Sequence, residues 1–320
     1  MPGPAGAPGA GIDAASGAAN GAANGAPPPL ALRLADRLEF ATAQDPARNY
    51  CLWDYSPAAP AEDKFRSINL LLQSFDHAAL HPHGHAIVDA IRQAIGGFRT
   101  VYGVKQVDGR LAWEFYFYDY ARQQREVSAT QVLRAIAPWM PCSVVIDEQL
   151  PYFMFSLDLE HALASGHRAL DVVHLYIGNP GSTVSSGIAY GARASGCTLE
   201  NFYFFFDAAT QLELAADKIA CSAHLDTARV ALDEVLLPEL RECHTLCVAN
   251  KQTHDCIYFS GVNVDQLMHF LQRLCYPQAI RDFVALHRQR LDHLLFDVGF
   301  DYRCIGGRLQ LLKSGYYGVF

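Results

Sequence analysis

The chain has 320 residues, 51% hydrophobic and 18% charged, which is enough apolar material to bury a large core. A net charge of −8 argues against a nucleic-acid-binding face. No run is long and apolar enough to cross a bilayer as a helix, and no basic-then-apolar leader opens the chain, so a cytoplasmic protein without a membrane partner is expected.

In chain order, residues 1–29 are almost wholly Gly, Ala, Pro, Asn and Ser, and read as a disordered tail ahead of a single domain over 30–320. Candidate helices follow at 30–43 and 61–76. The stretch 77–85 holds four histidines without an acidic or Cys partner at ligand spacing, so it reads as a polar loop before a helix over 86–95, which Gly96 and Gly97 end. Asp108-Gly109 between alternating segments then marks a hairpin of 98–107 with 110–120. A helix over 122–137 comes next, and a second hairpin pairs 150–160 with 170–178. Small residues over 182–195 suggest a loose helix. The third hairpin pairs 199–207 with 212–222, and a helix spans 224–240. The fourth pairs 243–251 with 255–261; helices capped by Asn263 or Asp265 and interrupted at Pro277 run to 292; the fifth pairs 294–304 with 308–317.

The strands share one grammar. In 113–120, Trp113, Phe115 and Phe117 alternate with Glu114, Tyr116, Tyr118 and Tyr120. Tyr152, Met154, Ser156 and Asp158 oppose Phe153, Phe155 and Leu157; His174 and Tyr176 oppose Val173, Leu175 and Ile177; Asn201, Tyr203 and Phe205 oppose Phe202, Phe204 and Phe206. An oily face suits covering helices, and a phenol-and-charge face suits a half-dry lumen. The fold class is therefore α+β: a closed antiparallel barrel of about ten strands, in five hairpins, inside an outer ring of helices.

Strand parity sends Lys105, Lys218, Lys251 and Lys313 inward, with phenols Tyr116, Tyr118, Tyr152, Tyr176, Tyr203, Tyr258 and Tyr317 and the carboxyls Glu114, Asp158, Asp297 and Asp301. Lysines inside a barrel are costly unless they meet anions, and several converging ones make a diphosphate clamp. Phenol rings beside the clamp would offer π-faces to a carbocation and keep out water. The nine cysteines include no CxxC pair, and neither a zinc site nor any other metal-ligand set is expected. There is no GxxxxGK[ST], no GxSxG, no GxGxxG after a strand and no DDxxD.

In its order of hairpins and helices the chain resembles the aromatic prenyltransferase (ABBA, or PT-barrel) superfamily, and within it the cyanobactin-type peptide prenyltransferases. The residues that carry the likeness are the strands 152–158 and 173–178, the strand 199–207 with that through Lys218, and Lys313-Ser-Gly-Tyr-Tyr317. The resemblance implies transfer of an isoprenyl group, dimethylallyl or geranyl, from its diphosphate to a nucleophile on a peptide or on an aromatic or guanidine small molecule, with Mg2+ bound through the diphosphate. On that basis Lys105, Lys218, Lys251, Lys313, Tyr176 and Tyr258 would hold the diphosphate. Tyr116, Tyr118, Tyr152, His174, Tyr203, Asp158, Asp297 and Asp301 would shield the carbocation and form the acceptor pocket. The family's base lies on the first strand; 99–105 has no carboxylate here, so the role passes to Glu114 on the neighbouring strand. The competing expectation is a non-catalytic barrel that binds a small molecule, or an accessory protein in a biosynthetic pathway.

Overall fold

A computed structural model describes residues 37–50, 53–119, 125–179, 182 and 184–320. The tail over 1–29 lies outside them. So does half of the helix expected over 30–43, and its described half, 37–43, forms no α-helix.

The barrel is closed by ten strands: β3 (Thr100–Val107), β4 (Arg110–Tyr118), β5 (Met154–Leu159), β6 (Val173–Gly178), β7 (Ser186–Arg193), β8 (Gly196–Asp207), β9 (Thr245–Lys251), β10 (Asp255–Val262), β11 (Phe296–Ile305) and β12 (Arg308–Val319). Each pairs antiparallel with the next, and β12 returns to β3 with Lys313 opposite Val107 and Val319 opposite Val101. Closure leaves no edge strand. Near one end of the barrel a two-stranded hairpin, β1 (Arg48–Asn49) and β2 (Trp53–Asp54), brings Tyr50 and Trp53 to the lumen.

Outside lie α1 (Ile68–His77), α2 (His83–Ile95), α3 (Ala129–Ile136), α4 (His161–Ala164), α5 (Leu212–Ala220), α6 (Val264–Arg273), α7 (Gln278–Leu286) and α8 (Arg288–Leu291). The odd positions of β4 face them: Trp113, Phe115 and Phe117 are fully buried in one core with Phe75 of α1 and Ile91 of α2. Each such side chain contributes about 1.5–3 kcal/mol of burial. The Trp113 indole N–H donates to Ser74 Oγ at 2.8 Å, so even its polar atom is satisfied. The even positions Tyr116 and Tyr118 fall in a separate interior cluster with Met154, Tyr176 and Tyr317. Period two thus sorts one side chain to the helices and the next to the lumen.

Four expected elements differ. The segment 182–195 contains strand β7, whose inward positions Gly187, Ala189 and Gly191 are small; at Gly191 a Cβ would collide with Glu200 and Arg193. The segment 212–222 is not a strand but α5, since Ala215 and Ile219, four apart, are its buried face. The third hairpin is therefore β7–β8. The stretch 224–240 holds no α-helix, only two 3-10 turns, Leu232–Glu234 and Pro238–Leu240, the second opened by Pro238. His83 and His85 sit inside the first turns of α2 instead of in a loop.

Candidate functional site

The lumen has two tiers. The outer one is a cavity of about 630 Å³ near the hairpin tips, lined by charged groups from many strands. Lys105 on β3 reaches Glu114 on β4 at 3.0 Å and Asp158 on β5 at 2.6 Å. Asp301 on β11 meets Lys251 at 2.8 Å, His254 at 3.0 Å and Lys313 at 3.7 Å. His174 lies between Glu200, at 2.6 Å, and Asp158, at 3.8 Å.

These contacts set the protonation states. Burial opposes ionisation of Asp158 and Asp301, but the lysines and histidines facing them outweigh it and hold both carboxyls well below the usual range. Glu114 is lowered too, its burial overcome by Lys105 and Lys313. Burial would deprotonate His174, yet its two carboxylates raise it to about 9, so it is a cation at neutral pH. Lys105 and Lys313 are raised against their own burial by the same acids. Among the described residues, two buried oxygens in this belt, Glu114 Oε1 and Asp301 Oδ1, meet no hydrogen-bond donor in good geometry.

The inner tier is a chamber of about 120 Å³, lined by Tyr50, Trp53, Tyr118, Phe153, Met154 and Asp297 among others. Tyr116, Tyr176, Tyr203 and Tyr258 line both cavities and mark the boundary between them. Their rings form a girdle: Tyr203–Tyr176 at 5.8 Å, Tyr176–Tyr116 at 6.0 Å, Tyr116–Tyr317 at 6.0 Å and Tyr317–Tyr258 at 6.0 Å. Burial pushes all of these phenols up, so they stay neutral. A neutral phenol girdle attracts a cation through its π-faces without offering a strong nucleophile.

Most residues assigned to the lumen by parity meet there. Lys218 does not: it stands on α5 with Nζ 4.0 Å from the Phe204 ring, outside the barrel. Tyr152 does not either. The pleat begins only at Met154, so Tyr152 precedes it and turns outward, where its ring lies beneath Arg125 and its hydroxyl donates to Glu148. Phe153, expected on the outer face, instead lines the inner chamber.

Some site residues escaped the sequence. Glu200 is the extra residue of a bulge, because Ala189 pairs with Asn201 and Tyr190 with Leu199; counting by twos cannot see it. Tyr50 directly follows β1 and Trp53 opens β2, strands of two residues each and too short to carry a period. A second bulge, with Asp301 opposite Lys313 but Tyr302 opposite Leu311, falls just beyond the expected pair Asp301 and Lys313, which share a face as register partners.

No protein-family model matches the chain, and no curated protein aligns with it significantly. The likeness to the PT-barrel superfamily thus rests on the closed ten-stranded antiparallel barrel and its buried tyrosines, with which it is compatible. A tyrosine-rich barrel around a cavity is consistent with binding of a small molecule. No described helix is long and apolar enough to cross a membrane.

Proposed function

We propose that the barrel transfers an isoprenyl group from its diphosphate to a nucleophilic acceptor. The observation that carries this reading is the stacking of the tiers: Lys105, Lys251 and Lys313 open on one cavity, and the phenol girdle lies at its floor. A diphosphate on the lysines would put its reacting carbon at the girdle. As the C–O bond breaks, the lysines stabilise the charge growing on the leaving group and the rings stabilise that growing on carbon. The carboxylates keep the lysines ionised and aimed before the donor arrives. Peptides and aromatic or guanidine compounds are the acceptor classes this reading carries.

Mg2+ fits as a passenger of the diphosphate. No described group of three or more His, Cys, Asp or Glu is arranged to hold a metal. Mg2+ needs only one or two carboxylates beside substrate phosphates, and the unpartnered oxygens of Glu114 and Asp301 have the right chemistry. When bound, it would neutralise charge on the leaving group. The test is thermal stabilisation by dimethylallyl S-thiolodiphosphate with Mg2+, compared with dimethylallyl alcohol. Stabilisation by the diphosphate alone is expected. Equal stabilisation by the alcohol would favour the second reading, a binding barrel without chemistry, which the apolar chamber also suits.

A further inference from the structure

One lumen carboxyl stands apart from the belt. Asp297 on β11 is 4% exposed and lines the inner chamber. Its Oδ1 accepts the Gly261 N–H at 2.9 Å. That N–H is aimed by a bulge: Ser260 pairs with Asp297 and Val262 with Phe296, leaving Gly261 at a φ of 83° that favours glycine. Ser260 Oγ in turn accepts from Asn49 Nδ2 at 3.2 Å. The groups that face or neighbour Asp297 are Tyr50, Tyr258, Tyr317, Ser260, Cys243 and Cys247, and the His244 ring packs against Gly261 next to them. Among the described residues none of these makes an ion pair with Asp297, whereas Glu114, Asp158, Glu200 and Asp301 each have a cationic partner. The contrast lies in the cations around each carboxyl. Glu114 is held ionised by lysines and is a weak proton acceptor; burial without a cation pushes Asp297 up to about 7. Two carboxyls driven apart by their surroundings assign the acid–base roles.

We propose that Asp297 is the general base of the transfer, and that the inner chamber holds the acceptor's reacting group, an O–H or N–H on a single ring or smaller. This rests on the transferase reading. Size follows from volume: an apolar cavity of about 150 Å³ takes one benzene, and the chamber measures about 120 Å³. A single ring therefore comes closer to fitting it than a two-ring indole. Beside an aliphatic tail the carboxyl would keep only its protein donors, such as the Gly261 N–H, whereas an X–H group adds a hydrogen bond aimed from the chamber. The step balances. The donor C–O bond breaks with its electron pair leaving on the diphosphate, an acceptor lone pair forms the new bond to carbon, and the X–H proton passes to the Asp297 carboxylate and then to water.

The experiment uses the full chain with dimethylallyl S-thiolodiphosphate and Mg2+, then adds p-cresol, 4-methylimidazole or 3-methylindole. The two single-ring compounds are expected to stabilise the donor-loaded protein further, and 3-methylindole is not. With dimethylallyl diphosphate, alkylation of p-cresol, which does not itself titrate in this range, should rise with pH through a limb near 7. Asp297→Asn should remove the limb and lower the rate by about a hundredfold or more, while donor stabilisation, which reports folding, persists. Should Asp297→Asn fail to fold, Asp297→Glu is read instead and should move the limb. Glu114→Gln should keep the limb. An unchanged profile in Asp297→Asn or Asp297→Glu, a limb lost in Glu114→Gln, or equal binding of 3-methylindole overturns the assignment. So does donor binding without any response to a single-ring probe. Failure of the donor analogue itself to bind points instead to the transferase reading.

Discussion

The outer and inner tiers of the lumen solve the same problem, a polar group inside a barrel, in opposite ways. In the outer tier every carboxylate meets a cation, and the network keeps lysines charged where water is scarce. In the inner tier the carboxyl of Asp297 accepts a backbone N–H and, among the described residues, has no ion-pair partner, and its proton affinity rises to match neutral pH. Charge held fixed suits binding an anion; charge that can change suits moving a proton. The lumen separates the two by a girdle of phenols.

The largest effect should come from breaking the outer network. Lys105→Ala leaves the buried Glu114 and the half-buried Asp158 without their main cation, and should cost about 3–5 kcal/mol of stability by denaturant unfolding. A smaller loss would mean that water already shares those charges. Next comes the inner tier's pH dependence. The folded pKa of Asp297, about 7, lies above its ordinary 3.8, so its stabilisation is present below pH 3.8 and is lost as pH rises through 7. The advantage of wild type over Asp297→Asn should shrink across that window by about 1.4 kcal/mol per pH unit at most. His174 places the corresponding window in the outer tier higher. Its stabilisation is complete below pH 6.5 and disappears as pH rises through about 9, so His174→Gln should converge on wild type only in alkali. A common window for both variants would erase the distinction between the tiers.

Donor affinity should fall by about 1–3 kcal/mol in Lys251→Ala or Lys313→Ala, read by calorimetry with the thiolodiphosphate. The smallest effect belongs to Lys218→Ala. It loses only a contact with Phe204, about 0.5–1 kcal/mol of stability, and donor affinity should not move.

The barrel was legible because period two is enforced twice, by helices outside and by the girdle inside, so Trp113, Phe115 and Phe117 announce one face and Tyr116 and Tyr118 the other. Hairpins marked by Asp108-Gly109 and Gly306-Gly307 fell where expected. What failed was parity without a pleat. Tyr152 lies before its strand begins, Lys218 sits on a helix whose apolar residues also alternate over a short window, and Glu200 occupies a bulge. β7 was hidden because its inward positions, Gly187, Ala189 and Gly191, are small. The site's chemistry was half legible: residue types identified the lysines and acids, but only the paired distances separate the carboxylates bound to lysines from the one that is not.

The central claim is the division of the lumen into an anion-binding tier above a phenol girdle. A crystal of the protein soaked with dimethylallyl S-thiolodiphosphate and Mg2+ tests it most directly. The account expects the diphosphate within hydrogen-bond distance of Lys105, Lys251 and Lys313, and its first carbon among Tyr116, Tyr176, Tyr203 and Tyr258. A diphosphate bound outside the barrel, or one inside it that touches none of those lysines, would contradict it.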